Sequence, residues 1–245
     1  MSGAVREKPD LAAKPPVRSR TNDSDATKRN ILEVATAEFA RNGLSGSRID
    51  EIAARTRTSK RMIYYYFGDK EGLYVAVLES VYQRIRAIEA TLDLDDLGPA
   101  DALRKLVEFT FDYQNEHEDF VRLVMIENIH HGRYLAKSKI IQELNVTAID
   151  AISRLYRRGV EERVFREGLD ATDIHWFISA LCFFNVSNRA TFSSIFKRDL
   201  TAPAALSLRR ASVVDTIMRY VLRCGPQALE SHIWDRAHAK TRVLR

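Results

Sequence analysis

Between Ser47 and Lys70 the chain sets cations and phenols at the spacing of one helical face. Lys60, Arg61, Tyr64 and Tyr65 fall opposite Ile63, Tyr66 and Phe67, because positions i, i+3 and i+4 share a face. Lys and Arg can donate to guanine O6 and N7 in the major groove of DNA, tyrosine hydroxyls can donate to phosphate, and their rings can meet thymine methyls. A merely solvated surface helix would give two exposed tyrosines no reason to be there. Ser59 can cap this helix, with Arg57 and Thr58 in the turn before it. Ser47 can cap the preceding one, with Asp50 three residues on completing a weaker form of the capping box. Ile49, Ile52 and Ala53 then lie on one face of that helix. Ser47 and Arg48 start it, where free N–H groups favour a phosphate. Two short helices joined by a tight turn, with a basic, aromatic outer face on the second, make a helix-turn-helix that docks in a major groove.

The charge distribution agrees. The chain carries 38 Lys and Arg against 33 Asp and Glu. Residues 1–70 hold 14 basic and 9 acidic residues, whereas residues 71–245 hold 24 of each. The whole excess sits with the helix-turn-helix pattern, as expected of a phosphate-binding module on a neutral body.

The elements that must position this face read as helices throughout. A first helix runs from about Ala26 to Asn42, with Ile31, Ala35 and Phe39 repeating every four residues and Gly43 suited to its C-terminal turn. Gly68 ends the recognition helix and Asp69 caps a long fourth helix to about Leu92, buried through Leu73, Val77, Val81, Ile85 and Ile88. Asp93 to Pro99 breaks it. Further helices are expected over 100–115, 119–131, 135–158 (closed by Gly159), 171–196 and 204–223. The fold class is all-α, about nine helices, with no internal repeat and no strand-like alternation. The chain divides into four segments: a disordered arm over 1–24, a DNA-binding domain over 25–70, an effector-binding and dimerisation domain over 71–230, and a frayed tail over 231–245. In the arm, Arg6, Lys8, Lys14, Arg18 and Arg20 could run along a phosphate backbone or enter a minor groove; a solubilising tail has the same composition.

At 45% hydrophobic residues the chain can build a real core. Cys182 and Cys224 lie far apart in apolar stretches, which suits reduced core thiols in a cytoplasmic protein rather than disulfides or a zinc site. The polar N-terminus lacks the apolar run of a signal peptide, and no uninterrupted apolar stretch of about 18 residues exists to span a membrane.

The N-terminal module resembles the TetR family of bacterial repressors. The resemblance rests on Ile31-Leu-Glu-Val-Ala-Thr-Ala-Glu-Phe-Ala-Arg-Asn-Gly43, Ile49-Asp-Glu-Ile-Ala53 and Ile63-Tyr-Tyr-Tyr-Phe-Gly-Asp-Lys-Glu-Gly-Leu73. It covers about 50 residues; the remainder matches in length and helix layout only. The resemblance implies that Lys60, Arg61, Tyr64 and Tyr65 contact bases and phosphates, that Lys70 contacts a phosphate, and that two protomers pair through the last two helices on a near-palindromic operator. It also implies a ligand-responsive repressor with a small-molecule effector and no enzymatic activity. Where the family commonly has Gly-Val before the recognition helix, this chain has Arg57 and Thr58. Arginine tolerates positive φ poorly, so a remodelled turn is expected, with Arg57 free to add a phosphate contact.

The segment from Trp176 to Phe196 is apolar on nearly every side, as a helix buried all round would be. A second chain or a central core position would each bury it. An effector pocket is expected among helices 4 to 8, from residues that pair apolar surface with a polar tip: Tyr82, Phe109, Tyr113, Met125, Asn128, His131, Trp176 and Asn185. Glu127-Asn-Ile-His130, with His131 beside it, forms one Glu-x-x-His pattern; a di-iron bundle needs two, so a redox or metal-binding bundle is only an alternative. No metal or cofactor is expected. Neither a Gly-rich phosphate loop nor a Gly-x-Ser-x-Gly elbow is present.

Overall fold

The computed structural model describes residues 20–223, with side chains from Ser24 onward. The expected arm up to Ser19, the tail beyond 230 and Cys224 lie outside the described residues. Within them the chain forms ten α-helices: α1 (Arg20–Gly46), α2 (Ile49–Thr56), α3 (Lys60–Phe67), α4 (Lys70–Glu89), α5 (Pro99–Glu116), α6 (Glu118–Ile129), α7 (Lys139–Glu161), α8 (Ala171–Ser187), α9 (Arg189–Phe196) and α10 (Pro203–Val221). Two single 3-10 turns, Leu94–Asp96 and Leu135–Lys137, join α4 to α5 and α6 to α7.

Most ends are set by local chemistry. Gly43 breaks α1 with φ 67° and ψ 174°, a backbone that glycine adopts without strain. Asp69 caps α4 by accepting from the Gly72 amide at 2.7 Å, and Pro99 opens α5 at a position where its missing N–H costs nothing.

Several expectations differ: α1 starts at Arg20, inside the segment expected as an arm. The helix expected from 135 begins only at Lys139, because Glu127 of α6 takes the Tyr134 and Leu135 amides at 3.1 and 3.0 Å and Ser138 caps α7 through the Ile141 amide. Gly159 does not close α7: it lies buried inside it, where a Cβ would come within 2.0 Å of the Phe165 ring. The helix expected over 171–196 is two, divided at Asn188. Ile88, expected to be buried, is exposed.

Two apolar cores result. One joins Ile31, Ala35 and Phe39 of α1 and Ile52 and Ile63 of the helix-turn-helix to Leu73, Tyr74, Val77 and Val81 of α4 and Leu123 of α6. Phe39 meets Tyr74 edge-on at 5.1 Å, and Tyr74 meets Tyr134 at 5.3 Å. The module's core is thus continuous with the body through α4. The second core joins α5, α7, α8 and α10 through residues such as Leu103, Ile152, Ile178 and Val214. Arg210 of α10 ties into α5 with a two-pronged contact to Asp112 and a third bond to Glu108.

Candidate nucleic-acid interface and effector cavity

The recognition helix is built as its spacing predicts. Ser59 caps α3, accepting from the Met62 amide at 3.2 Å. Ile63 is fully buried, while Lys60, Arg61, Tyr64 and Tyr65 are exposed, Tyr65 by 77%. Tyr66, by contrast, turns inward: its hydroxyl accepts from Ser24, and Lys28 lies 5.3 Å over its ring. Lys60 meets Asp50 of α2 at 2.5 Å; both are half exposed, so the pair is worth little and can open toward DNA.

Arg57 holds the left-handed end of α2. Arg57 sits at φ 53°, ψ 34°, its amide reaching Ala54 O at 3.3 Å while the Thr58 amide reaches Ala53 O at 3.0 Å. These are the paired bonds of a Schellman helix end, which places a left-handed residue there. Arginine accepts the left-handed backbone and its side chain stays exposed. Gly68 (φ 80°) and Gly72 shape the exit. A Cβ on Gly72 would lie 2.1 Å from the Phe67 carbonyl oxygen.

Ser47 behaves differently from expectation. Arg48, not Ser47, is the residue preceding α2, and no side chain caps that helix. The Ser47 hydroxyl is buried and donates to the carbonyls of Gly43 and Glu38 at 2.6 and 3.1 Å. It braces the α1–α2 corner, so its hydroxyl is not offered to a phosphate. Arg48 is exposed. Lys70 is partly buried, its ammonium 3.5 Å from the Ser45 carbonyl, which leaves further N–H donors for a phosphate.

In the body, a cavity of about 410 Å³ opens among α4, α5, α6, α7 and α8. Of the eight expected effector contacts, Tyr82, Phe109, Asn128 and Trp176 line it. The other four do not. Tyr113 is buried in the core against Phe109 and Phe120. Met125 faces a separate groove with Arg41 and Arg189. His131 sits exposed at φ 57° beyond α6, and Asn185 donates to Asn115 at 3.1 Å. Apolar periodicity alone does not say which edge of a buried stripe meets a cavity.

Residues not expected complete the wall: Arg86, Glu89, Gln114, Asn145, His175, Phe120 and Phe183. Arg86 bonds Glu89, one turn on, through Nη1 and Asn145 of α7 through Nη2 at 3.4 Å. Burial, seconded by the Arg86 charge, drives the His175 imidazole down to about 4, so it is neutral near pH 7. Burial also raises the Tyr82 hydroxyl. One signal was available for Arg86: a cation next to buried Ile85, four residues after Tyr82.

Family models match both halves of the chain. "Bacterial regulatory proteins, tetR family" covers residues 31–77 and "Tetracyclin repressor-like, C-terminal domain" covers residues 99–217. The HTH-type transcriptional repressor NicS of Pseudomonas putida is 36% identical over 204 residues, 83% of this chain and 96% of that protein. The chain belongs to the TetR family. A second relative, the HTH-type transcriptional repressor SCO4008 of Streptomyces coelicolor, is 35% identical over 65% of this chain and 78% of its own length. The crystal structure of SCO4942 from the same species matches 81% of this chain and 99% of that one, at TM-score 0.62 and 26% identity.

TetR-family proteins are regulators, and the redox-bundle alternative finds no support. Glu127 is buried with one carboxylate oxygen accepting from two backbone amides. Among the described residues no group of three His, Cys, Asp or Glu side chains could hold a metal. Among them, too, no helix is long and apolar enough to cross a membrane.

Proposed function

We propose that the chain is a homodimeric repressor that leaves a near-palindromic operator when a small molecule fills the α4–α8 cavity. The observation that carries this reading is the face of α3: two cations and two tyrosines held outward on a capped helix whose other side is locked by Ile63. Arg61 and Tyr64 are placed to meet base edges, with Lys60, Tyr65, Arg48, Arg57 and Lys70 around them for phosphate. The repressor names of the two relatives support the direction of control.

A second copy accounts for the uncovered face of α8, α9 and α10. Ile174, Ile178 and Cys182 point α8 into its own core, yet Trp176, Phe177 and Phe184 stay exposed, as do Ile195, Phe196 and Leu208. Apolar groups this large on adjacent helices suit a self-complementary two-fold interface. The pair would hold two recognition helices about 34–36 Å apart, the spacing of successive major grooves.

Helix α4 links the two sites. Its first half packs on α1 and α3, and its second half carries Tyr82, Arg86 and Glu89 in the cavity wall. A ligand that binds better with α4 displaced would spoil the spacing of the recognition helices as a rigid-body shift. The test is titration of the full chain with DNA from upstream of its own gene at physiological salt, competed with unrelated DNA. Specific binding by a dimer is expected; equal affinity for both DNAs would defeat the reading. Val77→Ala and Val81→Ala, on the buried stripe of α4, should change the response to effector more than operator affinity.

A further inference from the structure

Arg86 lines the cavity, and no protein carboxylate occupies the Nε/Nη2 edge of its guanidinium. Arg86 gives Nη1 to Glu89, and its Nη2 reaches Asn145 only at 3.4 Å, longer than a normal N–H···O bond. Its Nε is buried with no hydrogen-bond partner. The Nε/Nη2 edge of arginine is the one that takes a carboxylate side-on through two parallel bonds.

The same molecule shows the completed arrangement on α10. Arg210 gives Nη1 to Glu108 at 3.2 Å and its Nε/Nη2 edge to Asp112 at 2.8 Å each. Arg86 has the counterpart of Glu108 and lacks the counterpart of Asp112. Two other arginines, Arg158 and Arg189, have buried Nε atoms without a partner. Arg158 is spent on the carbonyls of Leu94, Asp95 and Leu97, and Arg189 lies outside this cavity in the groove near Met125.

The rest of the wall selects the body of the ligand. Tyr82, Phe109, Phe120 and Phe183 supply flat apolar surface, which suits ring faces and edges. His175 is neutral and so does not compete for an anion. The side-chain oxygen of Gln114 is buried, lines the same cavity and lacks a donor.

We propose that this cavity binds small aromatic carboxylates, with the carboxylate side-on along the Nε/Nη2 edge of Arg86 and the ring among Tyr82, Phe109, Phe120 and Phe183. A ring hydroxyl reaching Gln114 strengthens the fit. The bound acid takes Nη2 from its long contact with Asn145, a change at the α4–α7 contact of the kind that release by an α4 shift would use. This inference rests on the cavity being the effector site of the proposed repressor.

The test is calorimetric titration of the full chain with benzoate, 4-hydroxybenzoate and 2-naphthoate, each beside its amide. The acids should bind and their isosteric amides should not. Arg86→Gln should weaken acid binding at least about tenfold, the loss of a charge-assisted bond. Glu89→Gln should tighten it, since it removes a like charge and leaves the Nε/Nη2 edge in place. Amides binding as well as acids, no acid binding at all, or acid affinity weakened by Glu89→Gln would overturn the proposal. Operator binding, measured on the same preparations, separates the two readings. Specific DNA binding without acid binding defeats this inference alone, whereas acid binding without specific DNA binding defeats the repressor reading and upholds the acid site.

Discussion

Arg57 carries two separable effects, one in the fold and one in DNA binding. Its backbone is left-handed at φ 53°, which costs an L-residue about 1–2 kcal/mol. Glycine adopts this conformation without that cost but gives back about 0.5–1 kcal/mol through its freer unfolded chain. Arg57→Gly should therefore stabilise the protein by about 0.7 kcal/mol at the centre of the range, or about 1–3 °C in Tm for a chain of this size. Arg57→Ala keeps the strain and should gain nothing. Both substitutions remove the guanidinium. If it meets a phosphate, each should lower the salt slope of operator binding by about 1 per protomer. Thermal unfolding together with operator titration at several salt concentrations reads both effects. An alanine variant as stable as the glycine variant would refute the strain argument. Unchanged salt slopes in both would show that Arg57 touches no phosphate.

Three further outcomes are expected. Gly72→Ala drives a Cβ to 2.1 Å from the Phe67 carbonyl, where overpacking costs about 1–3 kcal/mol; Tm and operator affinity should fall together, and a variant with native Tm would contradict the geometry. Arg61→Ala should cost about 1–3 kcal/mol in specific binding and relax one base pair per half-site, whereas Lys70→Ala should weaken binding to all sequences alike, as a panel of single-substituted operators can show. His175 is held down to about 4, so between there and its ordinary value near 6.5 the unfolded chain binds more protons than the folded one. Stability should fall as pH drops from about 6.5 toward about 4, and His175→Gln should flatten that part of the curve; an equally steep fall in the variant would place its cause elsewhere.

Elements bounded by their own local chemistry were legible in the sequence. Asp69, Ser59, Gly68 and Pro99 act on neighbours within one turn, so their meaning survives without tertiary structure. The missed boundaries depend on contacts that sequence spacing does not carry. The start of α7 is set by Glu127 on another helix. Gly159 has the composition of a helix end, but its small size is used to admit the Phe165 ring. The break at Asn188 is hidden because apolar residues continue across it, with Phe184 meeting Phe192 edge-on at 5.3 Å.

The two sites differ for the same reason. A recognition helix is one short segment whose inner and outer faces alternate with known period, so the exposure of Arg61, Tyr64 and Tyr65 could be read from the burial of Ile63. Ser47 misled because serine has two local options, capping forward or bonding back to a preceding carbonyl, and the break at Gly43 brings the Gly43 and Glu38 carbonyls within reach of the second. The cavity needs five helices at once. Tyr82 and Arg86 lie on one helix at a spacing of four, yet what makes Arg86 distinctive is the identity of its partners on α4 and α7 and the rings of α5, α6 and α8 around it. A polar residue at the edge of an apolar stripe could equally face solvent, as Gln83 and Arg84 do. Which of them lines the cavity is set by how α4 packs on α5 and α7.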